Sequence, residues 1–271
     1  MTIDFAAILL SRILKTTTLV VFSIAACVAL SSNAAASEDG MPGSSGFSGL
    51  QFKILTSDGK RTIGSTRFTV LRKNSTEEIK GETRYLDGER DSENELLYLG
   101  DERLTPRLDS YQHSFFNADG TPYMLDTLDR KSGIASCTSY AAGKSKVRKS
   151  QLEIPPNSFT GASGLLMVVD GLRQGLREIS FHAFACVPGP ELFSVKASLP
   201  DRSERWPLYP GDLVRLDMRP DLGPLTFLLA PFIPTMDAWF NPNDHWNYVG
   251  GEFDRYFRGP HVLTVRVSPV N

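Results

Sequence analysis

Between Leu50 and Ile154 apolar and polar residues alternate with the two-residue period of a β-strand, and turn chemistry interrupts the alternation at short, regular intervals. In the first run Leu50, Phe52 and Ile54 fall on one face and Gln51 and Lys53 on the other. Asp58-Gly59 closes that run, and strands follow at Gly64–Leu71 and Glu78–Leu86, the latter closed by Asp87-Gly88. Further strands are expected at Glu95–Leu99, Arg107–Phe116, Tyr123–Leu128, Ile134–Ala141 and Lys146–Ile154, with Asn117-Ala118-Asp119-Gly120 and Arg130-Lys131-Ser132-Gly133 as hairpin connections. A chain patterned this way has few choices besides an antiparallel meander.

Pro155-Pro156 stops the pattern, because proline cannot donate to a ladder. Ser158 or Thr160 then offers a cap, and Leu165, Leu166, Val168, Val169 and Leu172 are spaced for a short helix ending near Gly171 or Gly175. Strands resume at Leu176–Cys186, Leu192–Leu199 and Leu213–Met218. Asp221 as cap, with Pro224 in the first turn, predicts a second short helix over Leu222–Ile233, apolar nearly all round and too short to span a bilayer. Met236–Phe240 and Asn247–Phe257 flank a Pro/Asn/Asp loop, and His261–Val267 is a last strand. No linker interrupts residues 50–271, which read as a single mainly-β domain.

Ahead of it, Arg12 and Lys15 precede an apolar run from Leu19 to Leu30 and a small-residue tract ending at Ala36. That order is a secretory signal peptide, residues 1–36, with cleavage after Ala36. Ile24-Ala25-Ala26-Cys27 offers the alternative of a lipidated Cys27, as in an outer-membrane lipoprotein; the apolar Val28-Ala29-Leu30 beyond it favours cleavage after Ala36. Residues 37–49 are Gly/Ser-rich and read as a flexible leader. The expected location is the periplasm or the exterior, with membrane contact only through Cys27. Cys137 and Cys186 then remain as an even pair in an oxidising compartment, which favours a disulfide. A net charge of −2 leaves no basic footprint for nucleic acid.

Chemistry is sparse. His113, His182, His245 and His261 form no HExxH or HxH pattern, and no cysteine pair has zinc spacing. His182 and His261 lie within strand alternation and read as sheet or surface residues. Gly161-Ala162-Ser163-Gly164 is one residue short of a nucleophile elbow, and Ser57-Asp58-Gly59-Lys60 matches SxxK only as a hairpin turn. Glu89, Asp91, Glu93, Glu95, Asp101 and Glu102 crowd one region. Paired carboxylates run glycoside hydrolysis, but a charge run between strands reads first as a solvated edge that resists aggregation. His245, with Asp244 and Asp237 near it in sequence, is the one loop candidate for hydrolysis; the plainer reading is a loop held by Asn and Asp side chains folding back on the backbone. No catalytic residue, metal or cofactor is expected.

The aromatic residues concentrate between Phe227 and Phe257. Either this stretch plugs the open side of the sheet and completes its core, or part of it lines a cavity for an apolar ligand. The cavity-lining candidates are Phe227, Phe232, Trp239, Phe240, Trp246 and Tyr248, with Trp239, Trp246 and Tyr248 at a wet rim.

Pro155-Pro156 with Gly161–Leu172, the PFIP of Pro231–Pro234, the AWF of Ala238–Phe240 and the NYVG of Asn247–Gly250 give residues 50–267 a layout that resembles secreted bacterial proteins of uncharacterised families with a lipoprotein-carrier-like (Lol-type) half-barrel. The resemblance implies a curved sheet with an apolar concave face partly closed by helices, and no catalytic residue. The expected fold is therefore a strongly curved antiparallel sheet, a half-barrel or open barrel, with two short helices. The expected role is that of an exported envelope protein, non-enzymatic, binding an apolar or lipid-like ligand. The alternative is a structural or assembly factor of the envelope that contacts other proteins through a sheet edge or its acidic strands.

Overall fold

The computed structural model describes residues 50–99, 106–141, 143–186, 189–200, 205–221, 223, 236–255 and 260–267. The signal peptide with Cys27, the leader, Asp101, Glu102 and the second helix expected over Leu222–Ile233 (Gly223 excepted) lie outside them. Among the described residues there is one helix rather than two. At the start of the expected second one, the Asp221 carboxylate accepts the Gly223 amide at 2.8 Å.

Among the described residues fifteen strands form one sheet built from two meanders. The first comprises β1 (Leu50–Thr56), β2 (Thr62–Lys73), β3 (Thr76–Tyr85), β4 (Arg90–Tyr98), β5 (Arg107–Phe116), β6 (Pro122–Asp129), β7 (Ile134–Ala141) and β8 (Lys144–Gln151), each pairing antiparallel with the next. The turns are those of the sequence: Gly88 (φ 93°) and Gly120 (φ 84°) hold left-handed conformations that other residues adopt at a cost. The second meander comprises β9 (Ser158–Phe159), β10 (Glu178–Cys186), β11 (Pro190–Ser198), β12 (Val214–Pro220), β13 (Met236–Asn241), β14 (Asn247–Asp254) and β15 (His261–Arg266). Here the expectation of an all-antiparallel sheet fails at one point, because β9 pairs with β10 in parallel. A two-residue strand leaves no periodic trace in a sequence.

The two meanders join where β1 pairs antiparallel with β15. The hydrogen-bonded sheet has β8 at one end and β9 at the other, so it does not close into a barrel. It curls enough to bring distant strands together. The rings of Tyr111 on β5 and Phe184 on β10 lie 5.9 Å apart, edge to face, and Cys137 on β7 is bridged to Cys186 on β10. The expected disulfide is present.

Helix α1 (Gly161–Arg173) connects β9 to β10 and fills the space the curl encloses. Ala162, Leu165, Val168, Val169 and Leu172 are buried against Phe159, Phe181, Ile79 and other members of the main core. Where Pro155-Pro156 ends the first meander, the Arg130 guanidinium donates to the Ile154 and Pro155 carbonyls at 2.7 and 3.0 Å, supplying partners to backbone that has left the ladder. A smaller cluster covers the other sheet face: Trp206 stacks on Trp239 with centroids 5.5 Å apart and planes 5° from parallel. Trp206 lies so close over Gly250 that a Cβ there would sit 2.6 Å from its ring.

Candidate functional site

The strand period of β4 places Glu93, Glu95 and Leu97 on the inward face, and all three are buried. This overturns the expectation that the acidic crowd is a solvated edge. Of that crowd, Glu89 pairs with Arg255 at 2.8 Å near the surface and Asp91 with His113 at 3.1 Å. Glu93 and Glu95 point into the protein.

Register carries this polarity across the sheet. Glu93 is directly opposite His113 on β5, His113 opposite Asp126 on β6, Asp126 opposite Cys137 on β7, and Cys137 opposite Arg148 on β8. Five strands thus contribute one transverse row: carboxyl, imidazole, carboxyl, disulfide, guanidinium. His113 is 3 % exposed; its Nε2 lies 3.1 Å from Asp91 Oδ1 and its Nδ1 3.1 Å from the Tyr111 hydroxyl. The Nε2–H donates to Asp91, and the Tyr111 hydroxyl, with one proton to give, stands between Nδ1 and the Glu93 carboxyl.

At the buried end of the row stands the N-terminus of α1. Thr160 precedes the helix, but its hydroxyl turns to the Phe184 carbonyl. The Ser163 amide donates instead to both oxygens of Glu95, at 3.1 and 3.2 Å, and the Ser163 hydroxyl donates to the Thr160 carbonyl at 2.7 Å. Glu95 therefore does from β4 what a local cap residue ordinarily does. Gly161 (φ 50°) makes this approach possible: a Cβ there would overlap the Glu93 carboxylate and lie 2.8 Å from Glu95 Oε1.

Burial dominates the electrostatics. Desolvation pushes Glu95 up to about 8 against the opposing hydrogen bonds from α1. Glu93 is raised well above the usual carboxylate range by desolvation and then by Glu95 and Asp91; its oxygens meet no donor at hydrogen-bond geometry, and only the Tyr111 hydroxyl favours its anion. Desolvation likewise raises Asp126 to about 7 against the favourable field of His113, and its Oδ1 is buried without a partner. Burial thus favours the protonated form of three carboxyls, Glu93, Glu95 and Asp126, inside an apolar core.

Its outer end opens on a cleft of about 250 Å³ lined by Met124, Thr138, Ser139, Lys146, Arg148 and both cysteines. A carboxylate oxygen of Asp126 and the two sulfurs lie within 4.8 Å of one another. While bridged, the sulfurs have no thiolate charge to offer a metal ion.

The aromatic candidates fall elsewhere. Phe240 and Tyr248 are fully buried in the main core, edge to face at 5.6 Å, and the Tyr248 hydroxyl is 3.1 Å from Thr264 Oγ1. Trp239 is 5 % exposed under Trp206, and Trp246 packs partly buried on the main core. Phe227 and Phe232 lie outside the described residues. Asp237, raised to about 6 by burial and by its neighbour Asp217, is 3.2 Å from Arg215. The exposed His245 and the partly buried Trp246 hold left-handed backbone (φ 52° and 58°) in a turn where the Asn241 side chain accepts the Asn243 amide, as the plainer reading of this loop expected. The Arg173 guanidinium at the end of α1 donates to the His245 carbonyl at 3.0 Å. His182 and His261 are satisfied by Asn157 and Asp254.

No family model matches the chain, and no curated protein matches it in sequence. Among solved structures it is similar to a β-barrel-like protein of the Domain of Unknown Function DUF1849 from Brucella abortus, at 6 % identity and a TM-score of 0.45, over 81 % of this chain and 95 % of that one. No residue's role carries over from it. No described helix is long and apolar enough to cross a membrane.

Proposed function

We propose that this is an exported, non-enzymatic envelope protein that binds an acidic, extended segment of a partner protein along β8. The observation that carries the reading is the character of that strand. Among the described residues β8 ends the hydrogen-bonded sheet and pairs with β7 alone. Seven of its eight residues are exposed, and Lys144, Lys146, Arg148 and Lys149 make it basic, with no acidic residue in the strand itself. A free edge invites strand addition, and its lysines repel a second copy of the same strand. An acidic segment satisfies both the open ladder and the charge. The disulfide supports the exported location, since such bridges persist in oxidising compartments.

The apolar-ligand reading has less behind it. α1 and the main core occupy the space inside the curl, and Phe240, Tyr248 and Trp239 are committed to packing. A lipid recovered by extraction and native mass spectrometry of the purified protein would reinstate it.

The test of the β8 reading is a photo-crosslinker at Ser145 or Lys149 in cells. The expected result is one discrete adduct whose crosslinked peptide is acidic, lost when Lys144, Lys146 and Lys149 are replaced by Glu. Adducts that are diffuse, that map to non-acidic peptides or that survive the charge reversal would sink the proposal.

A further inference from the structure

The geometry points to a reactive disulfide: we propose that Cys137–Cys186 exchanges with a small anionic thiol held in the cleft by Lys146 and Arg148, with Asp126 as the proton donor to the leaving sulfur. Three observations converge on this bridge. Both cysteines are part-exposed and line a cleft of about 250 Å³, so a small thiol reaches a sulfur without unfolding the protein. The only charged residues in that lining are cations, Lys146 and Arg148. A carboxyl with a buried, unpartnered oxygen stands within 4.8 Å of both sulfurs.

Each feature has a chemical consequence. Thiol–disulfide exchange proceeds by attack of a thiolate, and nearby cations raise the thiolate fraction. Lys146 and Arg148 concentrate a thiol that carries carboxylates and hold it against the sulfurs. Arg148 stands in register with Cys137, and so does Asp126. Asp126 stands directly opposite Cys137 on the neighbouring strand, which makes Cys137 the leaving sulfur in this scheme and Cys186 the one attacked. In the first step the incoming thiolate forms a bond to Cys186 Sγ. The bridge breaks, its electron pair leaves on Cys137 Sγ, and that sulfur takes the Asp126 proton. In the second step another molecule of the same thiol attacks the mixed disulfide. A symmetric small disulfide departs, Cys186 Sγ leaves with the electron pair as a thiolate, and water supplies two protons, one to Cys186 and one to Asp126. The protein gains two electrons and two protons, and two small thiols are oxidised to one disulfide. Asp126, held to about 7 by burial, carries the proton through the neutral range. A bridge that served only to staple β7 to β10 needs neither a cationic cleft nor a buried acid behind it.

The experiment measures mixed-disulfide formation by intact-protein mass spectrometry on the native, oxidised protein. Reduced glutathione is the anionic probe, cysteamine the cationic one and 2-mercaptoethanol the neutral one, each rate normalised to thiolate concentration. The expected result is that glutathione reacts at least about tenfold faster than cysteamine at low salt. Lys146→Ala with Arg148→Ala, on an exposed strand where folding is not at stake, abolishes that preference. Asp126→Asn slows exchange below pH 7 and leaves it unchanged at pH 9. Equal rates for the three thiols, a preference that survives the double substitution, or no adduct under native conditions would each overturn the anion site. An Asp126→Asn rate that is unaltered below pH 7 would remove Asp126 from the reaction. Near-ultraviolet circular dichroism of each variant separates lost chemistry from lost fold.

Discussion

Glu95 shows what a single buried carboxyl does to this protein. In the unfolded chain it titrates near 4.5, and in the fold near 8. Between those values the unfolded chain releases its proton while the native state keeps it, so stability is greatest below about pH 4.5 for this group and falls as pH rises through 8. Asp126 adds to the same slope. Surface Asp58, Asp87 and Asp119, each held low by local hydrogen bonds, oppose it only below the ordinary carboxylate range. Glu95→Gln keeps a carbonyl to accept the Ser163 amide and has no charge to desolvate. The variant is expected to melt above the parent at pH 9, by an amount on the order of a few kcal/mol, and close to it at pH 5; parallel melting curves at both pH values would refute the assignment. Gly161→Ala forces a side chain onto the Glu93 carboxylate from left-handed backbone. It is expected to cost about 2 kcal/mol or more, read as a lowered urea midpoint. The signal for this site was present in the sequence. Glu93 and Glu95 share a strand parity with Leu97, the one apolar member of that face, and His113 shares the inward parity of Tyr111 and Phe115 on the next strand. Charge alone argued for solvent, and only the pairing register shows that five strands place these positions on the same line.

At the scale of elements, most strands and turns of the first meander were legible because each is local: a period of two, then Asp-Gly, Asn-Ala-Asp-Gly or Ser-Gly. The exception is β4, expected over Glu95–Leu99 and found over Arg90–Tyr98, because its first half is polar on both faces. Helix α1 was legible for the same reason, from the Pro-Pro break, Thr160 and five spaced apolar residues. What holds α1 was not, since its cap acceptor arrives from β4, 68 residues earlier in the chain. The bridge between β7 and β10 has an energetic role as well as the proposed chemical one. It closes a separation of 49 residues, worth about 4 kcal/mol in the chain-entropy account. Cys137→Ser is expected to lower the unfolding temperature under oxidising conditions, while the reduced parent and the variant melt together. A variant that melts with the oxidised parent would show that the curl is held by α1 and the core alone.

At the scale of the molecule, the order of strands was the least legible feature, because it depends on a pairing between the first and last described strands. β15 is the last strand in sequence and lies in the middle of the sheet, between β1 and β14. Val262 and Thr264 on it are almost fully inaccessible, and Tyr248 hydrogen-bonds to Thr264 from β14. The sheet thus has two seams of different kinds. One, β1 to β15, is a hydrogen-bonded ladder; the other, β7 to β10, is a covalent bridge beside a packed helix. The first is the one the fold cannot lose. Without β15 the two meanders have no shared ladder, and each exposes the inner face that the other covers. Pairing across the whole chain also makes the contact order high, so the native sheet forms late and slowly. Removal of residues 261–271 is therefore expected to abolish cooperative thermal unfolding and the near-ultraviolet signal, although the deleted segment is short and far from the disulfide. Native-state hydrogen exchange provides the independent check: amides of β1, β14 and β15 should be the most protected and those of β8 the least. A truncated chain that still melts cooperatively, with its disulfide formed, would show that the meanders fold as separate units and that the curl does not depend on joining them.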